Sequence, residues 1–209
     1  MMSTQRYLLI DTETSGLFDF SKPADGLEQG RLAQLAVILC ESAPEFEITR
    51  KADFYVKPNG WLMSPDASRV NGLTDEFLAE HGHDVRHVLD FYEKEILEGR
   101  TVVSFGAQFD CKVMRGEFRR ASRGDLFEIT NNLCIMRIMT AICRIPQKNG
   151  RGLKWPKLEE AMAHFDLPFE VTHRATNDVA AVHQLMCKIN EIDMLRDGKV
   201  HRAKNYPLQ

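Results

Sequence analysis

The sequence has no Cys-x-x-Cys pair, no internal repeat and no low-complexity linker. It also lacks any apolar run near the ~18 residues that a membrane-spanning helix needs. The missing cysteine pairs argue against a zinc site. Five cysteines are scattered, at 40, 111, 134, 143 and 187. Their odd count and wide spacing fit free thiols in a reducing compartment, so a cytoplasmic location is expected. Neither a membrane span nor a secretory leader is expected. Without repeats or linkers, 209 residues that are 44% hydrophobic and 27% charged read as one globular domain. Positive charge is also short. A formal net charge of -3 excludes a protein that holds polyanions by bulk charge alone.

The charge is unevenly spread. Between Lys112 and Lys157 there are eleven Lys and Arg against three acids, Glu117, Asp125 and Glu128. A basic middle in an acidic chain reads either as a polyanion track or as a solvated helix face.

Periodicity then gives the elements. Tyr7 to Ile10 reads as a buried strand that ends in two acids, Asp11 and Glu13. The stretch 18–30 is rich in Gly, Pro and Asp and reads as a loop. The nearly continuous apolar run 31–40 predicts a central strand covered on both faces. In 48–56, Ile48, Arg50, Ala52, Phe54 and Val56 alternate with Thr49, Lys51, Asp53 and Tyr55, which is strand period. Val85, Val88, Leu89, Tyr92 and Ile96 have helical spacing behind a candidate N-cap, Asp84. A short strand at 101–105 precedes a helix around 108–119. Leu158, Ala161, Met162 and Phe165 mark another helix, and a last one runs from about Thr176 to Asn190. Three strands in a row, then helices alternating with short strands, predict an α/β domain with a mixed sheet.

Four acids stand out against that frame. Asp11 and Glu13 are two apart in a strand, so they share a face. Like charges that close repel by roughly 1 kcal/mol in water and by about 4 near a protein surface. Asp178 lies in register with Val182, Leu185, Met186 and Ile189, the apolar stripe of the last helix. Asp110 aligns with Val113 and Met114, just after a strand end, where open α/β sheets place their ligands. Four inward-facing carboxylates are compensated either separately, by caps and salt bridges, or jointly, by a divalent cation. An oxygen-only ligand set suits Mg²⁺ or Mn²⁺. A lone Asp-x-Glu is expected about once by chance in this composition, so order and context carry the case.

Those motifs, LLIDTETSGL (Asp11, Glu13), VVSFGAQFD (Asp110) and HRATNDVAAVHQL (His173, Asp178), resemble the DnaQ-like, DEDDh-type 3′–5′ exonucleases over roughly residues 5–190. The resemblance implies a ribonuclease-H-like fold, a mixed five-stranded sheet flanked by helices. It implies an exonuclease domain over 1–192 with a C-terminal tail, 193–209. It also implies two divalent cations, Mg²⁺ or Mn²⁺. Asp11, Glu13 and Asp178 would hold the one that activates water. Asp11 would reach the second, with Asp110 acting there directly or through water. His173 would be the general base or orient the nucleophile. The implied partner is a single-stranded 3′ end, DNA favoured over RNA: single-stranded or frayed DNA would be cleaved to nucleoside 5′-monophosphates, the alternatives being an exoribonuclease or oligoribonuclease of the same chemistry and a non-catalytic nucleic-acid-binding or polymerase-docking module. The tail, with Lys199, Arg202 and Lys204, is the candidate docking segment for a polymerase.

Candidate substrate contacts are Thr12, Thr14, Leu17, Asn71, Phe105 and Arg115. Two depart from the family pattern: Phe105-Gly106 replaces the usual His-Asn, and Asn71 stands where a histidine is common. Phe105 reads either as a base-stacking ring or as core. Leu17 reads either as a wedge at the terminal nucleotide or as packing. Arg115, Arg119, Arg120 and Arg123 are candidate phosphate grips, and His164 and His183 read as surface or packing residues.

Overall fold

The computed structural model describes residues 5–42, 45–124, 126–171 and 174–195. Among these, β1 (Arg6–Thr14), β2 (Leu32–Glu41), β3 (Ile48–Tyr55), β4 (Thr101–Ser104) and β5 (Asn132–Cys134) form one sheet in the order β3-β2-β1-β4-β5. The first three strands are antiparallel neighbours, whereas β4 runs parallel to β1 and β5 parallel to β4. Helices α1 (Pro65–Asn71), α2 (Asp75–His81), α3 (Val85–Leu97), α4 (Ala107–Arg120), α5 (Ile135–Cys143), α6 (Leu158–His164) and α7 (Ala175–Glu191) surround it. This is the mixed five-stranded α/β architecture expected from the motifs.

The side-chain alternation of β1 divides the molecule into two layers. Tyr7 and Leu9 face a core built with α5, α6 and α7, including Val182, Leu185, Met186 and Ile189. Leu8 and Ile10 face a second core built with α3 and α4, including Leu89, Met114 and Phe118. Strand β2 is buried from Leu32 to Cys40 because both layers cover it. The even alternation in 48–56 predicts one buried face, yet Ile48 and Arg50 are exposed, and only Phe54 and Val56 are buried on that face. The reason is position: β3 is the sheet edge, and α4, which covers that face, packs on β1, β2, β4 and β5.

Three helices were not anticipated, although their signals are present. In α1, the Ser64 hydroxyl accepts from the Ala67 amide, Pro65 opens the first turn, and Gly72 closes it in the left-handed region. Thr74 caps α2 in the same way by accepting from Phe77. In α5, Ile135, Ile138, Met139 and Ile142 stand at helical spacing. Asp84 does cap α3, accepting from the Arg86 amide at 2.8 Å.

One buried carboxylate fixes α4 on the sheet. Glu117, 2% exposed, accepts from Arg31 Nε and Nη2, both at 2.8 Å, and from the Leu32 amide at 3.2 Å. Arg120 adds a second cation at 3.0 Å. Within α4, Gly116 faces the loop: a Cβ there would lie 2.4 Å from the Ala24 carbonyl oxygen. No helix among the described residues is long and apolar enough to cross a membrane.

Candidate active site

The site forms where β1 outruns β4. Their pairing ends at Leu9 opposite Val103, while β1 continues beside β2 to Thr14. The Thr12 amide therefore has no β4 carbonyl to meet. Asp110, one turn into α4, takes that place: its Oδ1 accepts from the Thr12 amide at 3.0 Å and from the Thr12 hydroxyl at 2.8 Å. Both residues are buried, Thr12 on the α4 side of β1. Thr12 thus stands behind the acids as the residue that positions Asp110.

Asp11 and Glu13 point to the opposite, α7 side and are half-buried. There the first turn of α7 presents Asp178, where a helix N-terminus favours a carboxylate. Oxygens of Asp11, Glu13 and Asp178 lie within 4.8 Å of one another. Asp110 reaches the same region around the end of β4, so the four acids come from both layers.

Their electrostatics follow from that crowding. Burial, then Asp110, Asp178 and Glu13 in that order, holds the Asp11 carboxyl well above the usual carboxylate range. Burial and then Asp178 push Glu13 up to about 7, against a lowering hydrogen bond from Asn71. Burial likewise lifts Asp110 to about 6, opposed by the Ser104 and Thr12 hydroxyls and the Thr12 amide. Mutual repulsion at such range is what an added cation would relieve. The donor set is all oxygen, close-set and half-buried, and it fits a hard divalent cation.

The remaining expected residues fall in several places. Asn71 is buried; its Nδ2 donates to the Thr14 carbonyl at 3.3 Å and its Oδ1 accepts from the Leu73 amide, which sets it beside Glu13. The Thr14 hydroxyl donates to the Gly16 carbonyl at 2.9 Å. Leu17 is 94% exposed at the mouth of a cavity shared with Trp61 and Leu62. Phe105 packs half-buried against the α7-side core, and its carbonyl accepts from the Met136 amide at 2.9 Å. Arg115 lies 5.0 Å over the Phe127 ring on the outer flank of α4. His173 and residues 196–209 of the tail lie outside the described residues. His183 is a packing residue, its Nε2 2.9 Å from the Phe46 carbonyl oxygen.

Two of the candidate phosphate grips need correction. Arg120 is turned inward to Glu117 and to the carbonyls of Ala24 and Gly26. Arg123 pairs with Asp90 and Glu93 of α3. Carboxylates of the protein already hold both guanidinium groups, which makes them fold contacts. The roles of Thr12 and Glu117 were not foreseen, because each depends on a partner at least 85 residues away.

A sheet of this order, with acids converging at the end of its first strand, defines a ribonuclease-H-like nuclease fold. A family model described as Exonuclease matches residues 8–186. The chain belongs to this exonuclease family and is DnaQ-like. It is 29% identical over 118 residues to the DNA polymerase III subunit epsilon of Buchnera aphidicola subsp. Schizaphis graminum, covering 56% of this chain and 47% of that one. It is 27% identical over 139 residues to the Haemophilus influenzae subunit, covering 65% and 49%. The fold is similar to E. coli exonuclease I in complex with a dT13 oligonucleotide, with a TM-score of 0.72, 20% identity, and 89% of this chain and 41% of that one covered. A product-bound exonuclease I gives a TM-score of 0.73 at 19% identity, covering 93% and 46%. The chain therefore spans about half the length of these curated relatives and less than half of exonuclease I.

Proposed function

We propose that this protein is a metal-dependent 3′–5′ exonuclease of the DEDDh type. Its substrate would be single-stranded or frayed DNA, and its products nucleoside 5′-monophosphates. The observation that carries the reading is the convergence of Asp11, Glu13 and Asp178 within 4.8 Å, with Asp110 clamped beside them by Thr12. Asp11, Glu13 and Asp178 would hold one cation, and Asp11 with Asp110 a second. Bound Mg²⁺ or Mn²⁺ would supply Lewis-acid stabilisation of the attacking and leaving oxygens of an in-line displacement. The chain's own part is to fix the carboxylates and move a proton. His173 takes the proton of the attacking water as its oxygen bonds to phosphorus, and the P–O3′ bond breaks with its electron pair on O3′, which takes a proton from solvent to become the new 3′-hydroxyl. Histidine suits this role because its ordinary pKa lies near working pH.

The DNA preference is supported by the oligonucleotide bound to the structural relative. The curated relatives are polymerase subunits, so docking to a polymerase through residues 193–209 is proposed with the same reading, as is a cytoplasmic location.

The test uses 5′-labelled single- and double-stranded DNA and matching RNA, with Mg²⁺, Mn²⁺ or EDTA. A ladder shortening from the 3′ end with either metal, and absent in EDTA, is expected. Faster decay of the RNA would move the assignment to an exoribonuclease of the same chemistry. Equal degradation by wild type and Asp11→Ala would falsify the site. His173→Ala should lose most of the rate while keeping cation affinity.

A further inference from the structure

On the outer flank of α4 lies a cavity of about 410 Å³, closed by the 22–24 loop on one side and the β5–α5 junction on the other. Among the described residues five cations line it, Lys22, Lys112, Arg115, Arg119 and Arg137. None of the four clustered acids reaches it. Its floor is apolar, with Ala107, Cys111 and Phe127. Lys112, Arg115 and Arg119 stand at helical spacing along one face of α4, whereas Asp110 points from another face of the same helix toward β1. From Gln108 to Arg119 that face runs roughly 16 Å at ~1.5 Å per residue.

The far wall is tied down. Lys112 Nζ donates to the Phe20 carbonyl at 2.7 Å, and Arg120 donates to those of Ala24 and Gly26 at 3.3 and 2.9 Å. The Gly116–Ala24 approach closes the same seam. Of the cations, Arg119 lies 3.7 Å from Asp25 and Lys22 3.2 Å from Glu28, both surface pairs. Such pairs contribute little and are readily exchanged for a better anion. Arg137 is exposed at the start of α5.

We infer that this cleft is a second nucleotide-binding site, which takes phosphate on Arg115, Arg119 and Arg137 and a base against the Cys111–Phe127 floor. Guanidinium forks match phosphate oxygens in pairs. Volume decides against a bare anion, since pockets of ~300–1,000 Å³ with apolar walls suit a ligand with a substantial body. The nature of that ligand rests on the exonuclease reading. The nucleotide comes either from a strand whose 3′ end lies at the carboxylates, running along α4, or from free monophosphate.

Binding is measured in EDTA, where no hydrolysis is expected. The probes are a fluorescein-labelled thymidine oligonucleotide and dTMP, against wild type, Arg137→Glu and the double variant Arg115→Gln/Arg137→Gln. Melting temperatures check the fold, and the exposed Arg137→Glu keeps the test valid should the double variant misfold. In the double variant, oligonucleotide affinity should drop about tenfold or more. Its logarithmic salt dependence should become shallower by about 1.4 for two lost contacts to a single strand. Parallel loss of dTMP binding identifies free nucleotide as a sufficient ligand; loss for the oligonucleotide alone identifies the strand. Wild-type affinity and salt slope in the variants, or no binding of either probe by wild type, overturns the inference even if hydrolysis is normal. Conversely, a cleft that binds as described in a protein without metal-dependent hydrolysis overturns the exonuclease reading and leaves this site standing.

Discussion

Thr12 commits its amide and its hydroxyl to one oxygen of Asp110, and that pair of bonds holds a carboxylate delivered by another layer. Thr12→Val keeps the shape and removes the hydroxyl. A hydrogen bond to a charged group is worth roughly 1.5–3 kcal/mol. Turnover is therefore expected to fall about 10- to 100-fold, with KM little changed and Thr12→Ser restoring most of it. A fall in thermal stability with unchanged turnover would remove the positioning role. Glu13 gives a pH prediction. Its folded pKa is about 7 against a usual 4.5, so the cation-free fold retains a proton that the unfolded chain has released. The stability this proton supplies is complete below about pH 4.5 and is lost as pH rises through about 7. In EDTA, the melting temperature should decline from about pH 5 to pH 8, and Glu13→Gln should flatten the decline. A wild-type profile parallel to that of the variant would refute this.

At the scale of the element, α4 does three things with three faces. Asp110 reaches β1, Glu117 locks the start of β2, and the Lys112–Arg119 face looks outward. Gly116 permits this by letting the helix touch Ala24. Alanine is normally better than glycine in a helix by about 1 kcal/mol. Here Gly116→Ala should destabilise by about 1–3 kcal/mol through overpacking, read as a lowered urea midpoint. An unchanged or raised midpoint would show that the loop yields. Glu117→Gln leaves Arg31 and Arg120 without their carboxylate, and a loss of about 3–5 kcal/mol is expected for breaking such a buried pair. The partners of Arg120 and Arg123 also show why the basic segment could not be parsed from sequence. Arg123 pairs with residues 30 and 33 positions upstream on α3, and nothing in its own neighbourhood announces them.

The whole molecule brings together what neither layer holds alone. Asp11 and Glu13 face α7, while Asp110 arrives from the α4 layer, and β4 is short enough for the two to meet at its end. A cation bound only by the folded chain stabilises it by mass action, about 2.7 kcal/mol at a hundredfold excess over Kd. Mg²⁺ or Mn²⁺ should therefore raise the melting temperature of wild type and of Thr12→Val, but not that of Asp11→Ala/Asp178→Ala. An equal rise in that double variant would place the cation elsewhere.

Much was legible in the chain because it is local. Strand β2 declares itself by a continuous apolar run, and α7 by a stripe that carries Asp178 inward. The Asp11–Glu13 pair follows from the two-residue period of a strand. Helices α1, α2 and α5 had legible signals in Ser64, Thr74 and the Ile135–Ile142 spacing, but short helices compete poorly with turn-like readings of Pro and Gly. The rest belongs to tertiary structure alone. Only the end of the β1–β4 pairing leaves the Thr12 amide for Asp110, and only the edge position of β3 exposes Ile48 and Arg50. That Arg120 and Arg123 serve the fold depends on contacts distant in sequence, the Ala24 and Gly26 carbonyls for one and the α3 carboxylates for the other. Sequence determines what each side chain can do, and long-range packing determines which partner it meets.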